Sequence, residues 1–337
     1  VAFTDIDING SSLHDCMHMM RESVQIVVRG RPALTSRSSL MQMGLVGLGR
    51  MGANMRDRLR AAGHDIVGFD PGQSSSDVQS LQELVERLAA PRTLWVMVPA
   101  GELTRAAIDQ LGLLVSAGDL VIDGGNSRFS DDKIHSALLA EQGIGYLDCG
   151  VSGGVWGLRE GYGLMVGGAS SDVERAMPIF DALRPAGERA AGFVHAGPVG
   201  AGHYAKMVHN AIEYGLMQAY AEGYELLAAE PLITDVGSVL KAWQNGTVVR
   251  SWLLELLVSA VQDDPGFERL TGYTDDSGEG RWAIEEAIGH AVPVPVISAA
   301  LFARFSSRQT DSPTMKAVSA LRHQFGGHQV RPKEIYA

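Results

Sequence analysis

Cysteine is nearly absent: the 337 residues hold two, Cys16 and Cys149. A chain so poor in thiols has no disulfide framework, so its fold must rest on a packed core. A reducing compartment, the cytoplasm, is the expected setting, with Cys149 as a core residue. Long apolar runs are missing as well. Nothing approaches the ~20 residues that a bilayer span needs, so no membrane association is expected. Positive charge is scarce, 28 Lys and Arg against 39 Asp and Glu, for a formal net charge of -11. That balance argues against nucleic acid or an anionic membrane as partner, both of which favour basic surfaces. What is there is ordinary globular material, 45% hydrophobic and 20% charged, long enough for one large or two medium domains.

The first forty residues read as foreign to the rest. They close on a turn-rich stretch, Arg31-Pro32-Ala33-Leu34-Thr35-Ser36-Arg37-Ser38-Ser39-Leu40, after which a strand begins abruptly at Met41-Gln42-Met43. Residues 1–40 are therefore expected to be an appended or disordered extension, with Met41 as the functional start. Acidic residues near the beginning and the lack of a clean apolar core speak against a secretory signal.

From Gln42 short apolar runs alternate with helical periods. Strands are expected over 42–46, 65–69, 93–98, 120–123, 145–149 and 164–167, with helices at 51–62, 79–88 and between the later strands. Such alternation implies parallel strands joined by right-handed crossovers, a doubly wound sheet. Past the turn-forming Gly197-Pro198-Val199-Gly200-Ala201-Gly202 only helical periods remain, at 204–229, 235–244, 252–262, 282–290, 296–304 and 314–325. The expected fold is α/β, a Rossmann-type dinucleotide-binding domain over 41–199 followed by an all-helical domain over 200–337 with a C-terminal tail.

Gly47-Leu48-Gly49-Arg50-Met51-Gly52 fits Gly-x-Gly-x-x-Gly between a strand and a helix. In that context the first glycine permits the tight turn, the second admits a pyrophosphate, and the third lets helix pack on strand. Free N–H groups and the helix dipole then draw the phosphates. Asp70 ends the next strand, where a carboxylate accepts hydrogen bonds from ribose hydroxyls and repels a 2′-phosphate. The following loop, residues 71–76, carries no Arg or Lys, so NAD is favoured over NADP. As a turn-capping residue, Asp70 would leave that preference open.

Lys206, Asn210 and Glu213 stand at i, i+4 and i+7, on one helical face. Taken alone such a ladder reads as a solvated polar face. Here an asparagine sits between the charges, and the segment begins just past the domain junction. Asp123-Gly124-Gly125-Asn126-Ser127 and Ser152-Gly153-Gly154 follow strand ends, the edge at which open α/β sheets bind ligands. Each glycine cluster alone is an ordinary turn; together they favour one cleft.

These segments resemble the 6-phosphogluconate dehydrogenase family. The likeness runs in family order through Gly47 to Gly52, Asp123 to Ser127, Ser152-Gly153-Gly154-Val155-Trp156-Gly157 and Lys206-Met207-Val208-His209-Asn210-Ala211-Ile212-Glu213-Tyr214-Gly215. It continues in Gly280-Arg281-Trp282 and in Arg322-His323-Gln324-Phe325-Gly326-Gly327-His328. Counted from Met41, the length resembles the short branch, which has one helical unit in place of a duplicated helical domain. The resemblance implies oxidation and decarboxylation of 6-phosphogluconate to ribulose 5-phosphate. It assigns Lys206 as general base and acid and Glu213 as the acid that protonates the enediol, with His209 and Asn210 beside them. A lysine acting as base needs its pKa lowered by desolvation or a cationic neighbour, for which His209 is the candidate.

By the same resemblance Asn126, Ser152, Gly153 and Gly154 contact the sugar acid and nicotinamide, and Tyr214 and Arg304 the phosphate. Val98 and Ala100 lie near the cofactor, and no metal is expected. Arg322 and His328 would enter a neighbouring subunit's site, making a homodimer or homotetramer. Two departures stand out: Ser277 and Glu279 occupy a loop that resembles Lys-Gly-Thr in the long branch and contacts phosphate there, and Pro99 replaces a lysine. An acid at 279 is unhelpful to a phosphate. The rival readings are another β-hydroxyacid dehydrogenase of the 3-hydroxyisobutyrate type, which lacks the pairing of Glu213 with the Arg322 and His328 tail, and a catalytically silent NAD-binding regulator.

Overall fold

The computed structural model describes residues 40–331. The expectation of an appended or disordered extension therefore lies outside the described residues, apart from Leu40. The described residues begin with strand β1 (Gln42–Val46), helix α1 (Arg50–Ala61), β2 (Asp65–Phe69), α2 (Leu81–Glu86), β3 (Thr93–Val96), α3 (Glu102–Leu114), β4 (Leu120–Asp123) and α4 (Phe129–Ala140). They continue through β5 (Gly145–Ser152), the short α5 (Gly157–Glu160), β6 (Gly163–Gly168), α6 (Ser170–Leu183) and β7 (Phe193–Gly197).

The strands form one sheet in the order β2-β1-β3-β4-β5-β6-β7. Because strand side chains alternate in direction, a sheet covered on both faces needs apolar residues at successive positions. Met43 and Leu45 of β1 join Trp95, Leu120 and Ile122 in one buried cluster, with Phe180 of α6. Val46, Leu94, Val96 and Val121 point to the other, with Ile108 and Leu111 of α3. Cys149 is buried in the first cluster, as expected of it.

The sheet departs from the all-parallel expectation at one place. Strands β1 to β5 pair in parallel, but β6 runs antiparallel to β5, with Leu147 opposite Gly168 and Ser152 opposite Gly163. The cause lies in the connection: residues 153–162 hold only a 3-10 turn and the four-residue α5, too little chain for a right-handed crossover. Strand β7 was not anticipated. It is a short edge strand, parallel to β6, and its middle residues are exposed, so no apolar run marks it.

Beyond the sheet every element among the described residues is helical: α7 (Ala201–Ala229), α8 (Val236–Trp243), α9 (Trp252–Asp263), α10 (Glu279–Gly289), α11 (Pro295–Ser307) and α12 (Pro313–Gly326). Tyr214 of α7 packs with Ala300 and Leu301 of α11, and Leu240, Leu254 and Val258 make a separate cluster between α8 and α9. Among the described residues no helix is long and apolar enough to cross a membrane.

Helix α7 starts against the sheet. The buried Asp148 of β5 accepts the backbone N–H of Gly200 at 2.7 Å and that of His203 at 2.8 Å, holding the first turn. Deeper in, Gly150 faces Lys206 so closely that a Cβ there would lie 2.3 Å from the lysine's own Cβ. Glycine at 150 therefore sets how near the helix approaches the strand.

Candidate active site

The carboxyl ends of β1, β3, β4 and β5 open on one side of the sheet, and the first turns of α7 lie across that opening. A cavity of about 760 Å³ results. It is lined by Met51 from the first glycine turn, Asn126 after β4, Ser152, Gly153 and Gly154 after β5, and Lys206, His209, Asn210 and Glu213 from α7. Nine of the residues singled out in the sequence thus meet in one crevice, and Lys206 and Glu213 both face it.

At the nucleotide end Gly47 adopts φ 96°, which its missing side chain permits. A Cβ on Gly52 would lie 2.0 Å from the Gly47 carbonyl oxygen, so α1 can begin only where it does with glycine there. Gly49 caps α1 without a side-chain bond, and a Cβ on it would meet nothing within 4 Å. The first N–H groups of α1 therefore lie beside an open face, the arrangement that receives a pyrophosphate. Arg50 is exposed at the same edge, Leu48 is buried, and Val98 packs beside the Gly47 turn, while Ala100 stands exposed two residues on.

The Asp70 carboxylate accepts the N–H of Leu48 at 2.8 Å and the N–H of Gly72 at 2.8 Å. It is a turn-capping residue and, at the same time, a fixed acceptor beside the glycine turn. A cation does reach the loop after it, a feature hidden from a reading of that loop alone. Arg56 of α1 donates to the Ser75 carbonyl at 2.8 Å, and its remaining charge is shared with Asp57 at 3.0 Å.

The chemistry-bearing face of α7 is knitted together. The Lys206 Nζ donates to Asn210 Oδ1 in a very short contact, and the Asn210 Nδ2 donates to Glu279 Oε1 at 2.7 Å. His209 Nδ1 lies 3.1 Å from Asn210 Oδ1 and 3.9 Å from Glu213 Oε2, and its Nε2 lies 3.5 Å from the Ser152 hydroxyl. The Lys206 amine is held below its ordinary pKa by burial, while Glu213 and Glu279 pull the other way. Of the two causes anticipated, desolvation is thus the one that lowers the lysine.

Glu279, the departure unsuited to a phosphate, has other partners. It is 2% exposed, opens α10, and accepts hydrogen bonds from the amides of Asn126 and Asn210 and, at 2.7 Å, from the Ser277 hydroxyl. Burial opposes its charge, but these hydrogen bonds outweigh it and keep its pKa below the ordinary value. The acid therefore addresses two asparagines of the crevice rather than a phosphate.

Other sequence candidates fall beside the crevice or away from it. The Arg304 guanidinium stacks 3.6 Å from the centre of the buried Tyr214 ring, and donates to the Asp275 carbonyl at 3.0 Å. The Tyr214 hydroxyl accepts the Ser277 N–H at 3.2 Å. Arg322 on α12 and His328 after it are exposed and do not line the cavity.

Sequence reading also missed a buried ion pair behind the site. His203, one helical turn before Lys206, places Nδ1 2.8 Å from Asp132 Oδ2, and the Tyr146 hydroxyl donates to the same carboxylate at 2.8 Å. Burial disfavours the imidazolium, but Asp132 outweighs it and the His203 pKa is pushed up to about 9. The partners are 71 residues apart, so no local pattern could reveal them; a histidine on the inward face of an otherwise apolar turn was the one available hint.

Comparison with known proteins places both halves. Residues 42–187 match the family model of the NAD binding domain of 6-phosphogluconate dehydrogenase, and residues 202–334 match that of its C-terminal domain. The chain is 42% identical to the NAD(+)-dependent, decarboxylating 6-phosphogluconate dehydrogenase of Haloferax volcanii, over 87% of this chain and 100% of that protein. It is 33% identical to the corresponding NAD(+)-dependent protein of Bacillus subtilis, over 79% of this chain and 61% of that one. Among solved structures, Plasmodium falciparum 6-phosphogluconate dehydrogenase is similar with a TM-score of 0.67 at 25% identity, covering 87% of this chain and 67% of that one. Mycobacterium tuberculosis 3-hydroxyisobutyrate dehydrogenase is similar with a TM-score of 0.64 at 25% identity, covering 84% and 100%.

Proposed function

The chain belongs to the 6-phosphogluconate dehydrogenase family, and from that premise we propose that it oxidises and decarboxylates 6-phosphogluconate with NAD as hydride acceptor. The observation that carries this reading is the placement of Lys206 and Glu213 on one wall of the crevice, with Asn126 and the Ser152-Gly153-Gly154 turn on the other.

The sheet end fits a dinucleotide, since α1 begins uncapped at Gly49 beside the fixed carboxylate of Asp70. Bound there, NAD supplies the acceptor for the hydride of C3. Lys206, its pKa lowered by burial, takes the proton of the C3 hydroxyl. The resulting β-keto acid loses carbon dioxide because its ketone accepts the electron pair, and protonated Lys206 donates to that oxygen. Glu213 then delivers a proton to C1 of the enediol while Lys206 takes back the proton of the enediol hydroxyl, giving ribulose 5-phosphate. Two groups acting in sequence on one face need different proton affinities, and burial lowers that of the Lys206 amine.

NAD is favoured over NADP because Asp70 would repel a 2′-phosphate and Arg56 is already engaged by Ser75 and Asp57. The cavity lining includes no arginine, whereas the substrate ends in a phosphate. Arg304 beside Tyr214 supplies one cation, and Arg322 and His328 on the exposed C-terminal segment are proposed to complete the site of a neighbouring copy.

The test is a spectrophotometric and carbon dioxide assay of purified protein with 6-phosphogluconate, run with NAD and with NADP, beside 3-hydroxyisobutyrate. The reading expects carbon dioxide and NADH together from 6-phosphogluconate, faster with NAD. Preference for 3-hydroxyisobutyrate, or NAD binding without turnover, would overturn it.

A further inference from the structure

Glu279 lies 153 residues from Asn126 and 69 from Asn210 in sequence, yet one of its oxygens accepts the side-chain amides of both. An ionised carboxylate only accepts hydrogen bonds, whereas an amide has a donating and an accepting end. Both asparagines must therefore turn their nitrogens toward Glu279. For Asn210 this has a direct consequence, because its carbonyl oxygen is then left facing Lys206, whose Nζ donates to it.

Resting on the reading of Lys206 as the base, we propose that Glu279 is a positioning residue for that lysine: it locks the Asn210 and Asn126 amides in one orientation, so that Asn210 presents an acceptor to the Lys206 amine. The relay spans two elements, running from the first residue of α10 to the middle of the crevice wall on α7. Three features fit Glu279 for the task. It is almost wholly buried, so water does not compete for its oxygens. Its second oxygen is held by the Ser277 hydroxyl at 2.7 Å, which fixes the carboxylate plane. Its place at the N-terminus of α10 favours the ionised form through the helix dipole.

The inference separates geometry from charge. In Glu279→Gln the side chain keeps its shape, its carbonyl oxygen still accepts from the asparagines, and Ser277 can reverse its hydrogen bond to accept. Only the negative charge is lost. In Glu279→Ala the amides lose their anchor, and Asn210 is free to rotate its nitrogen toward Lys206. The charged groups facing the Lys206 amine are Glu213 on its own helix and Glu279 from α10, with His209 bonded to the same Asn210 oxygen.

The experiment measures kcat, KM for NAD and the pH profile of kcat/KM with 6-phosphogluconate for wild type, Glu279→Gln and Glu279→Ala. Glu279→Ala should lose kcat by roughly 100-fold, the scale of a reacting group misplaced by about 1 Å, with KM for NAD unchanged. Glu279→Gln should keep kcat within a few-fold at its optimum. Its acid limb should move to lower pH by about one unit, because a carboxylate that stabilised the protonated lysine is gone. Intact NAD binding by Glu279→Ala, read by quenching of tryptophan fluorescence, shows that the fold survives. Active wild type with Glu279→Ala equal to it would overturn this inference alone. So would equal losses in both variants without a pH shift, which would make Glu279 a packing residue. Inactive wild type would overturn the reading beneath it as well.

Discussion

Replacing Gly150 by alanine would place one methyl group where helix α7 already lies. The added Cβ would sit 2.3 Å from Lys206 Cβ and 3.0 Å from both Lys206 Cγ and the Gly202 carbonyl oxygen. Carbon atoms rest at about 3.5 to 4.0 Å, so strand and helix must part by roughly 1.2 Å at this point. Little in the surroundings can give. Leu147, Cys149 and Val151 of the same strand are packed in the core, and the start of α7 is tied to Asp148 by two backbone hydrogen bonds. Overpacking of this kind costs about 1–3 kcal/mol of stability. The larger effect falls on catalysis, because the displaced residue is Lys206 itself, and an error of about 1 Å in a reacting group costs on the order of 100-fold. Purified Gly150→Ala should therefore bind NAD normally, since the glycine turn after β1 is remote from the change, and should show kcat reduced by about 100-fold. A Gly150→Ala enzyme with wild-type kcat would refute the claim that the approach of α7 to β5 sets the position of the lysine.

Further outcomes follow from the cofactor end and from the buried ion pair. Asp70→Asn keeps an oxygen for Leu48 or Gly72 but removes the charge proposed to discriminate against a 2′-phosphate. The ratio of kcat/KM for NAD to that for NADP should fall about tenfold, ~1.4 kcal/mol, and an unchanged ratio would show Asp70 to be a turn cap alone. His203 has its pKa raised to about 9 in the folded chain, against about 6.5 when unfolded. Its contribution to stability is therefore lost as pH rises from about 6.5 through about 9, while burial raises the Asp132 carboxyl to about 6, so the pair is ionic only above that pH. The melting temperature should drop across that window, and a flat profile there would contradict the pairing. His203→Leu strands Asp132 in the core and should cost about 3–5 kcal/mol in denaturant unfolding, with a smaller loss arguing that Asp132 is neutral in the wild type.

Much of the architecture was legible because its causes are local. A strand buried on both faces needs an apolar run, and a glycine turn between strand and helix has a fixed spacing, so β1, α1 and Asp70 could be read directly. The shared face of Lys206, Asn210 and Glu213 follows from helical geometry alone. The reversal of β6 escaped because alternation implies parallel strands only where the connection is long enough for a crossover; the shortness of residues 153–162 was the signal. Strand β7 escaped because an edge strand with exposed residues such as Val194 need not be apolar. Glu279 was visible as a departure unsuited to a phosphate, but its hydrogen bonds depend on two asparagines brought to it by β4 and α7. The pair of His203 and Asp132 likewise exists only once the sheet has assembled.

The central claim is that Lys206 and Glu213 act in sequence on one substrate in one crevice, and Glu213→Gln tests it most directly. The variant keeps the size and most hydrogen bonds of the side chain but cannot deliver the proton. Measured with 6-phosphogluconate and NAD, it should bind NAD as wild type does, with kcat lowered by about 100-fold or more, the scale of a lost general acid. Wild-type turnover by Glu213→Gln would contradict the assignment and leave the second half of the reaction without its acid.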